Sequence, residues 1–415
     1  MAKIQPFKAI RPTRDKVSLV ASRSYQSYTA DERDSRMIYN PYSFLHIINP
    51  GYKYHKDIIS GEERYKLVRN RYLEFKEDEI FIQDQTPCYY IYKIVNRELE
   101  AFCGIIGAAS AKDYENDYIK KHEDTLQDRE TTFKEYLKTV GFNAEPVLLT
   151  YPDNDDLADI MNQVVKERAE YEFTTTYRDT HYLWKVENPM FIKKIESSFA
   201  SIDTLYIADG HHRSASSYLL SKDLEASNSK HKGTESYNFF MSYLIPESDL
   251  KIYEFNRLIK DLNGLTKEEF LIRLDEQFRI ENRGIEVYKP TQPNHFSMYL
   301  DGEFYSLHLR LTDYQFTDAL EELDAQVLYK TVLNPILGIE NLRTNTRIEY
   351  SHGKNDTIHV KSKVDNGEFA VGFGLFPATI DQMKKVADQG LKMPPKSTYI
   401  EPKLRSGITI YEFER

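Results

Sequence analysis

The chain has 415 residues, long enough for two or three domains each with its own core. Apolar residues make up 40% and charged residues 29%, the balance of an ordinary water-soluble globular protein rather than a fibrous or low-complexity one. A formal charge of −10 repels phosphate backbones at long range. With no strong basic patch beyond short pairs such as Lys193-Lys194 and Lys384-Lys385, nucleic acid is not an expected partner.

Two cysteines, Cys88 and Cys103, lie in apolar surroundings without C-x-x-C spacing, which argues against a zinc site or a disulfide framework and favours a reducing compartment. The N-terminus lacks the apolar stretch of a signal peptide, and no run reaches the roughly 18 apolar residues of a membrane helix. A cytoplasmic location without a membrane partner is the expectation by elimination.

In chain order, residues 1–60 read as irregular, with Pro6, Pro12, Pro41 and Pro50. Tyr65, Val68, Tyr72 and Phe75 recur at helical spacing and predict a helix over 61–79. Two β-rich runs at 88–92 and 102–109 flank the polar Asn96-Arg97-Glu98, which predicts a hairpin. A helix over 129–140, a strand over 146–151, a helix from a cap at Asp155-Asp156 to about 171 and a helix over 189–199 follow. The strand 205–208 runs into a helix through Leu220, and an exposed loop is expected over 223–236.

Further on, a strand is expected over 239–245, then a helix from Thr266 to Phe278, opened by the Thr266/Glu269 pair of a capping box. Asp301-Gly302 between two apolar runs is the strongest hairpin signal in the chain. A long helix over 317–333, a strand over 370–376 and a helix over 377–389 complete the list before a proline-rich tail. This mixed order predicts an α+β fold with mixed sheets and packed helices. The expected division is 1–100, 101–250 and 251–415.

Chemistry concentrates at Asp209-Gly210-His211-His212-Arg213-Ser214, where an apolar strand ends and a helix begins. The first turn of a helix presents backbone N–H groups that have no partner within the helix, and its dipole favours anions. Gly210 allows close backbone approach, Arg213 offers a planar fork of donors, and His211 and His212 can donate hydrogen bonds or carry protons. That combination fits the phosphates of a nucleotide. A plain helix cap with surface histidines, or a metal-dependent hydrolase on Asp209, His211 and His212, stands as the alternative. Adjacent histidines diverge on a helix, however, and no H-x-x-x-H partner appears.

Three further stretches stand out. His122-Glu123-Asp124-Thr125 places a carboxylate beside a histidine, the material of a general base, although a charged loop looks the same. Met393-Pro394-Pro395-Lys396-Ser397-Thr398 stiffens the chain ahead of a group suited to phosphate or carboxylate, or forms a rigid tail. Trp184, the single tryptophan, is either core or a stacking platform.

Taken together, Pro6 to Pro12, Asn40-Pro41-Tyr42-Ser43, His122 to Thr125, His181 to Trp184, Ile207 to Arg213, Leu323 to Leu328 and Gly390 to Lys403 resemble the boxes of the bacterial and archaeal family called domain of unknown function 1015, in the same order. That family is similar to the ParB/sulfiredoxin superfamily, and within it to the free serine kinases. The resemblance implies a central kinase-like domain with N- and C-terminal additions. It also implies phosphotransfer from ATP or ADP, with Mg²⁺, to the hydroxyl of free L-serine or a related small metabolite.

Carried over, Asp209 through Arg213 take the phosphate role and Glu123 is the base; Ser214 is further expected at the nucleotide, Asp209 as the metal ligand, and Asp209 and His212 among the catalytic residues. His122, Thr125, Trp184, Lys396 and Ser397 are expected around the substrate. A homodimer is compatible with the resemblance, and a nucleotide-binding or nucleotide-hydrolysing switch is the alternative activity. The chain departs from the family where a Pro-Pro-Tyr-Asp box would stand, at Ala21 to Ser27, and where a His-Arg pair is replaced by Asn256-Arg257. If those positions touch substrate, a different substrate follows.

Overall fold

The computed structural model describes residues 2–54, 60–312, 314–352 and 356–413. It forms two compact units. The first comprises Met1–Lys120, Thr125–Leu250 and Pro402–Arg415, and the second Lys121–Asp124 and Lys251–Glu401.

The first unit is organised by a nine-stranded mixed sheet. Its strands are β1 (Ile4–Gln5), β2 (Tyr89–Val95), β3 (Ala101–Ser110), β4 (Ile119–Lys120), β5 (Val147–Tyr151), β6 (Tyr171–Thr174), β7 (Thr180–Val186), β8 (Leu205–Asp209) and β9 (Phe239–Pro246). The order across the sheet is β4-β8-β5-β9-β3-β2-β7-β6, with β1 paired to β3. Strands β5 and β9 are buried along nearly their whole length, as strands covered on both faces must be. Its longer helices include α1 (Gly61–Glu77), α2 (Gln127–Val140), α3 (Asp155–Val164), α4 (Pro189–Ala200) and α5 (His211–Ser227).

The apolar stripe of α3 and α4 (Leu157, Ile160, Ile195 and Phe199) closes one core with Leu149, Leu205 and Ile207 of the sheet. On α1, Val68, Tyr72 and Phe75 close a second core with Phe81, Val140 and Phe142. Each such side chain stabilises the fold by about 1.5–3 kcal/mol when fully buried.

The second unit carries a six-stranded antiparallel sheet. Its strands are β10 (Asn256–Ile259), β11 (Phe278–Gly284), β12 (His295–Leu300), β13 (Glu303–Leu309), β14 (Ile348–Ser351) and β15 (Val371–Gly374), ordered β11-β13-β12-β15-β10-β14. Helices α6 (Lys267–Asp275), α7 (Asp324–Leu328), α8 (Asp356–Asp365) and α9 (Ile380–Asp388) belong to it. The expected capping box is present: Thr266 accepts from Glu269 N, and Glu269 accepts from Thr266 N.

The mixed α+β class is as expected, and so are both hairpins. Several boundaries differ. Residues 1–60 are not irregular: β1 joins the central sheet, and Ala30–Tyr39 is a helix with a Thr29/Glu32 capping box. Residues 55–59 of that stretch lie outside the described residues. The helix expected to reach 171 ends at Val164, because Tyr171 is already paired with Leu183 in the sheet. Its cap is Asn154, which accepts from Leu157 N, rather than the Asp pair. Helix α5 continues to Ser227, into the expected loop.

The long helix expected over 317–333 is absent except for α7 and a π turn at Tyr329–Leu333. Asp318 accepts from the Leu320 and Glu321 amides there, a local side-chain bond that competes with helix. The division expected at 100 falls inside the β2–β3 hairpin, which one sheet holds together. The closing segment pairs back onto the first unit, through Tyr411–Glu412 with Phe142–Asn143 and through Ser406 with Ser22. No helix among the described residues is long and apolar enough to cross a membrane.

Candidate anion site at a glycine-capped helix

Strand β8 runs between β4 and β5 with Leu205 to Ala208 buried. Its register with β5 slips between Ile207, opposite Leu149, and Asp209, opposite Leu148. Such a bulge re-aims the side chain that follows it, here Asp209 at the strand's end. Gly210 then turns the chain with φ +102°, a conformation that glycine adopts without steric cost, and α5 begins at His211. A glycine cap contributes no side-chain acceptor to the first turn, where the helix dipole is positive. A β-carbon at 210 would lie 2.8 Å from Arg213 Nη2 and 2.9 Å from Nε, so the guanidinium is folded directly over the turn.

Four charges meet here. Arg213 pairs with Glu145, and Lys403 Nζ lies 3.2 Å from Asp209 Oδ2. Ser406 Oγ donates to the other Glu145 oxygen at 3.4 Å. Burial alone would raise the Asp209 carboxyl, but Lys403 and Arg213 outweigh it and hold the group below the usual carboxylate range. Burial disfavours the Arg213 charge, while Glu145 and Asp209 more than restore it. The two pairs are partly exposed, and pairs of that kind contribute only about 0–1 kcal/mol each. An incoming anion can therefore exchange for a carboxylate at modest cost.

His211 is buried, and His212 is half-buried with Nε2 facing the Leu126 amide at 3.4 Å. An acceptor at Nε2 puts the His212 proton on Nδ1, an assignment made from the hydrogen bond. Ser214 does not offer its hydroxyl as expected. It is fully buried, and Oγ donates to the His211 carbonyl at 3.0 Å.

The other expected site residues fall into different places. Thr125 Oγ1 donates to Glu130 at the start of α2 rather than facing open space. Trp184 lies in β7, five inter-strand spacings from β8 in the sheet order, or about 24 Å at ~4.8 Å per spacing. Its side chain is 6% exposed and Nε1 donates to the Glu167 carbonyl at 2.9 Å, so it is a core residue and not part of a site at Asp209.

His122 and Glu123 belong to the second unit, where His122 O accepts from Met393 N at 2.8 Å and Lys121 O from Lys392 Nζ at 3.1 Å. His122 is buried and Glu123 half-buried. The structure thus joins the His-Glu box to the closing Met393 box. Lys396 is exposed, with φ +58° and its ammonium 5.3 Å from the Phe255 ring centre, whereas Ser397 is buried and donates to Pro394 O at 2.7 Å.

A divalent cation needs oxygen donors that are not already neutralised. Asp209 carries Lys403 on Oδ2, so this chain offers one carboxylate oxygen at that point, and phosphate oxygens would have to complete the shell. The same ammonium weighs against a hydrolytic metal held by Asp209, His211 and His212. Lys403 and Glu145 were not legible as site members. The only signal was Pro402-Lys403 inside the closing box, and nothing in the local pattern of Glu145 separates it from a surface acid.

Fold and site together define an α+β protein in which Asp209, Arg213, Glu145 and Lys403 gather around a glycine-capped helix start. The chain belongs to the family described as Protein of unknown function (DUF1015), whose sequence pattern matches residues 4–326. No curated protein matches it. Among solved structures, it is similar to a free serine kinase mutant in complex with AMP, at 17% identity and TM-score 0.38, covering 75% of this chain and 92% of that one. It is also similar to a free serine kinase mutant in complex with ADP, at 14% identity and TM-score 0.37, covering 75% and 92%. A third is SbnI with a C-terminal truncation from Staphylococcus aureus, at 13% identity and TM-score 0.38, covering 73% and 85%.

Proposed function

We propose that the chain is a nucleotide-dependent phosphotransferase acting on the hydroxyl of a small metabolite, with free L-serine or a related hydroxy compound as the first candidate and a ParB/sulfiredoxin-like core as its scaffold. The observation that carries the reading is the Gly210 turn. A bulged strand, a glycine cap and an overlying guanidinium gather donors and positive potential at one helix start. The nucleotide, ATP or ADP, sets its phosphates against the amides of His211, His212 and Arg213. Arg213 and Lys403 exchange Glu145 and Asp209 for phosphate oxygens.

In the reaction the acceptor oxygen bonds to the terminal phosphorus as the bond to the leaving phosphate breaks. The cations and His212 offset charge on the transferred group. Glu123, through the resemblance of its His-Glu box, takes the hydroxyl proton. Asp209 is the residue that would hold Mg²⁺, through Oδ1, and the ion would supply charge neutralisation for the phosphates.

The test is incubation with Mg²⁺, ATP or ADP, and a panel of hydroxylated metabolites led by L-serine, read by mass spectrometry. A phosphorylated metabolite is expected. Nucleotide consumption with no such product would move the assignment to a hydrolysing switch, and absence of nucleotide binding would remove it.

A further inference from the structure

The second unit contains a buried guanidinium that the phosphotransfer reading does not use. Arg257, on β10, is 2% exposed, as deep as the apolar core around it. Its Nη groups donate to two main-chain carbonyls, those of Phe255 and of Lys396, the latter at 3.2 Å. Its charge lies 5.6 Å from the Tyr350 ring centre. Among the described residues, Asp324 and Glu254 act on it through space without forming an ion pair. Burying a guanidinium without a carboxylate or phosphate partner is expensive, and such groups are normally paired.

The guanidinium borders a void of about 10 Å³, lined also by Glu254, Asp324, Met393 and Ser397. That is room for about one water-sized atom, or one oxygen of an oxyanion. Both Asp324 oxygens already accept a main-chain bond: Oδ1 from Asn294 N at 2.8 Å and Oδ2 from Phe376 N at 3.3 Å. The two lining residues from the closing box, Met393 and Ser397, are fixed. Met393 N donates to His122 O at 2.8 Å and Ser397 Oγ to Pro394 O at 2.7 Å. The void is therefore a small cavity of mixed lining that the Arg257 side chain borders, with Met393 and Ser397 held by hydrogen bonds, and it adjoins the main chain of the His-Glu box through Met393.

We propose that this cavity is a binding subsite for one oxygen of a small organic carboxylate, with Arg257 as the residue that selects for it. A void with room for one oxygen admits a single oxygen of a carboxylate, and the glycolate and phosphate arms of the test below separate the two oxyanions.

The test uses the full chain and glycolate, the smallest hydroxy acid, with glycolamide as the uncharged control and inorganic phosphate as the competing anion. Isothermal titration should show glycolate binding, no glycolamide binding and weak phosphate binding. Arg257→Lys should weaken glycolate at least tenfold while leaving ADP affinity unchanged, and Ser397→Ala provides a milder lesion of the same wall should the arginine variant fail to fold. A crystal grown with glycolate should show its carboxylate oxygen in the void. Equal affinity for glycolate and glycolamide, or a water alone in the void at saturating glycolate, overturns the subsite. Loss of ADP binding with glycolate binding retained would instead count against the nucleotide reading and leave the subsite standing.

Discussion

The Arg213 guanidinium occupies the space that a β-carbon on Gly210 would need, within 2.8 Å of it. A side chain at 210 therefore has two costs: a left-handed backbone at φ +102° and displacement of the cation over the helix start. Gly210→Ala should lower ADP affinity by tenfold or more. Gly264→Ala is the control, because Gly264 also has positive φ (+81°) but open space around it. It should lose stability of order 1 kcal/mol and leave ADP binding intact. Equal ADP affinity in wild type and Gly210→Ala would remove the site from the helix start.

Glu123→Gln keeps the shape of the side chain and removes its basicity. If the carboxylate takes the acceptor proton, nucleotide binding is retained and turnover falls by about 10²–10⁴. Single-turnover phosphotransfer and ADP titration on the same preparation separate the two. Full turnover in the variant would rule out the base.

Trp184→Phe tests the core placement of the tryptophan. It removes the indole donor to the carbonyl of Glu167, an exposed residue that water can reach, and trims a buried ring, so a loss of about 0.5–1.5 kcal/mol from the hydrogen bond, with some lost packing, is expected in urea unfolding. Lying five strand spacings from β8, the variant should bind ADP as the wild type does. A selective loss of substrate or nucleotide affinity would restore the stacking role.

Burial raises the Asp324 carboxyl from its ordinary 3.8 to about 7, against the opposing pull of the Asn294 and Phe376 amides. The folded chain then binds this proton more tightly than the unfolded one. The contribution to stability is complete below about pH 4 and is lost as pH rises through about 7, by at most about 4 kcal/mol. Asp324→Asn should flatten that part of the urea-midpoint profile between about pH 4 and about pH 7. An identical slope in both proteins would show that the carboxyl titrates normally.

Much of the architecture was legible because its signals are local. The stripe Tyr65, Val68, Tyr72 and Phe75, the Thr266/Glu269 box and Asp301-Gly302 each specify an element within a few residues, and each element is there. The strand, glycine and helix at 205–220 were legible for the same reason. The long helix expected over 317–333 was misread because its apolar spacing is real, but Asp318 turns the backbone away from it.

By itself the sequence determined the α+β class, most elements and the turn at Gly210, since propensity, capping and steric freedom act between near neighbours. Tertiary structure decided which charges meet at that turn: Glu145 lies 68 residues from Arg213, and Lys403 lies 194 residues from Asp209. It also decided that Trp184 belongs to the core and that Arg257 is buried beside a small void. Burial and long-range pairing depend on chain closure through the sheets, and no short window of residues encodes that closure.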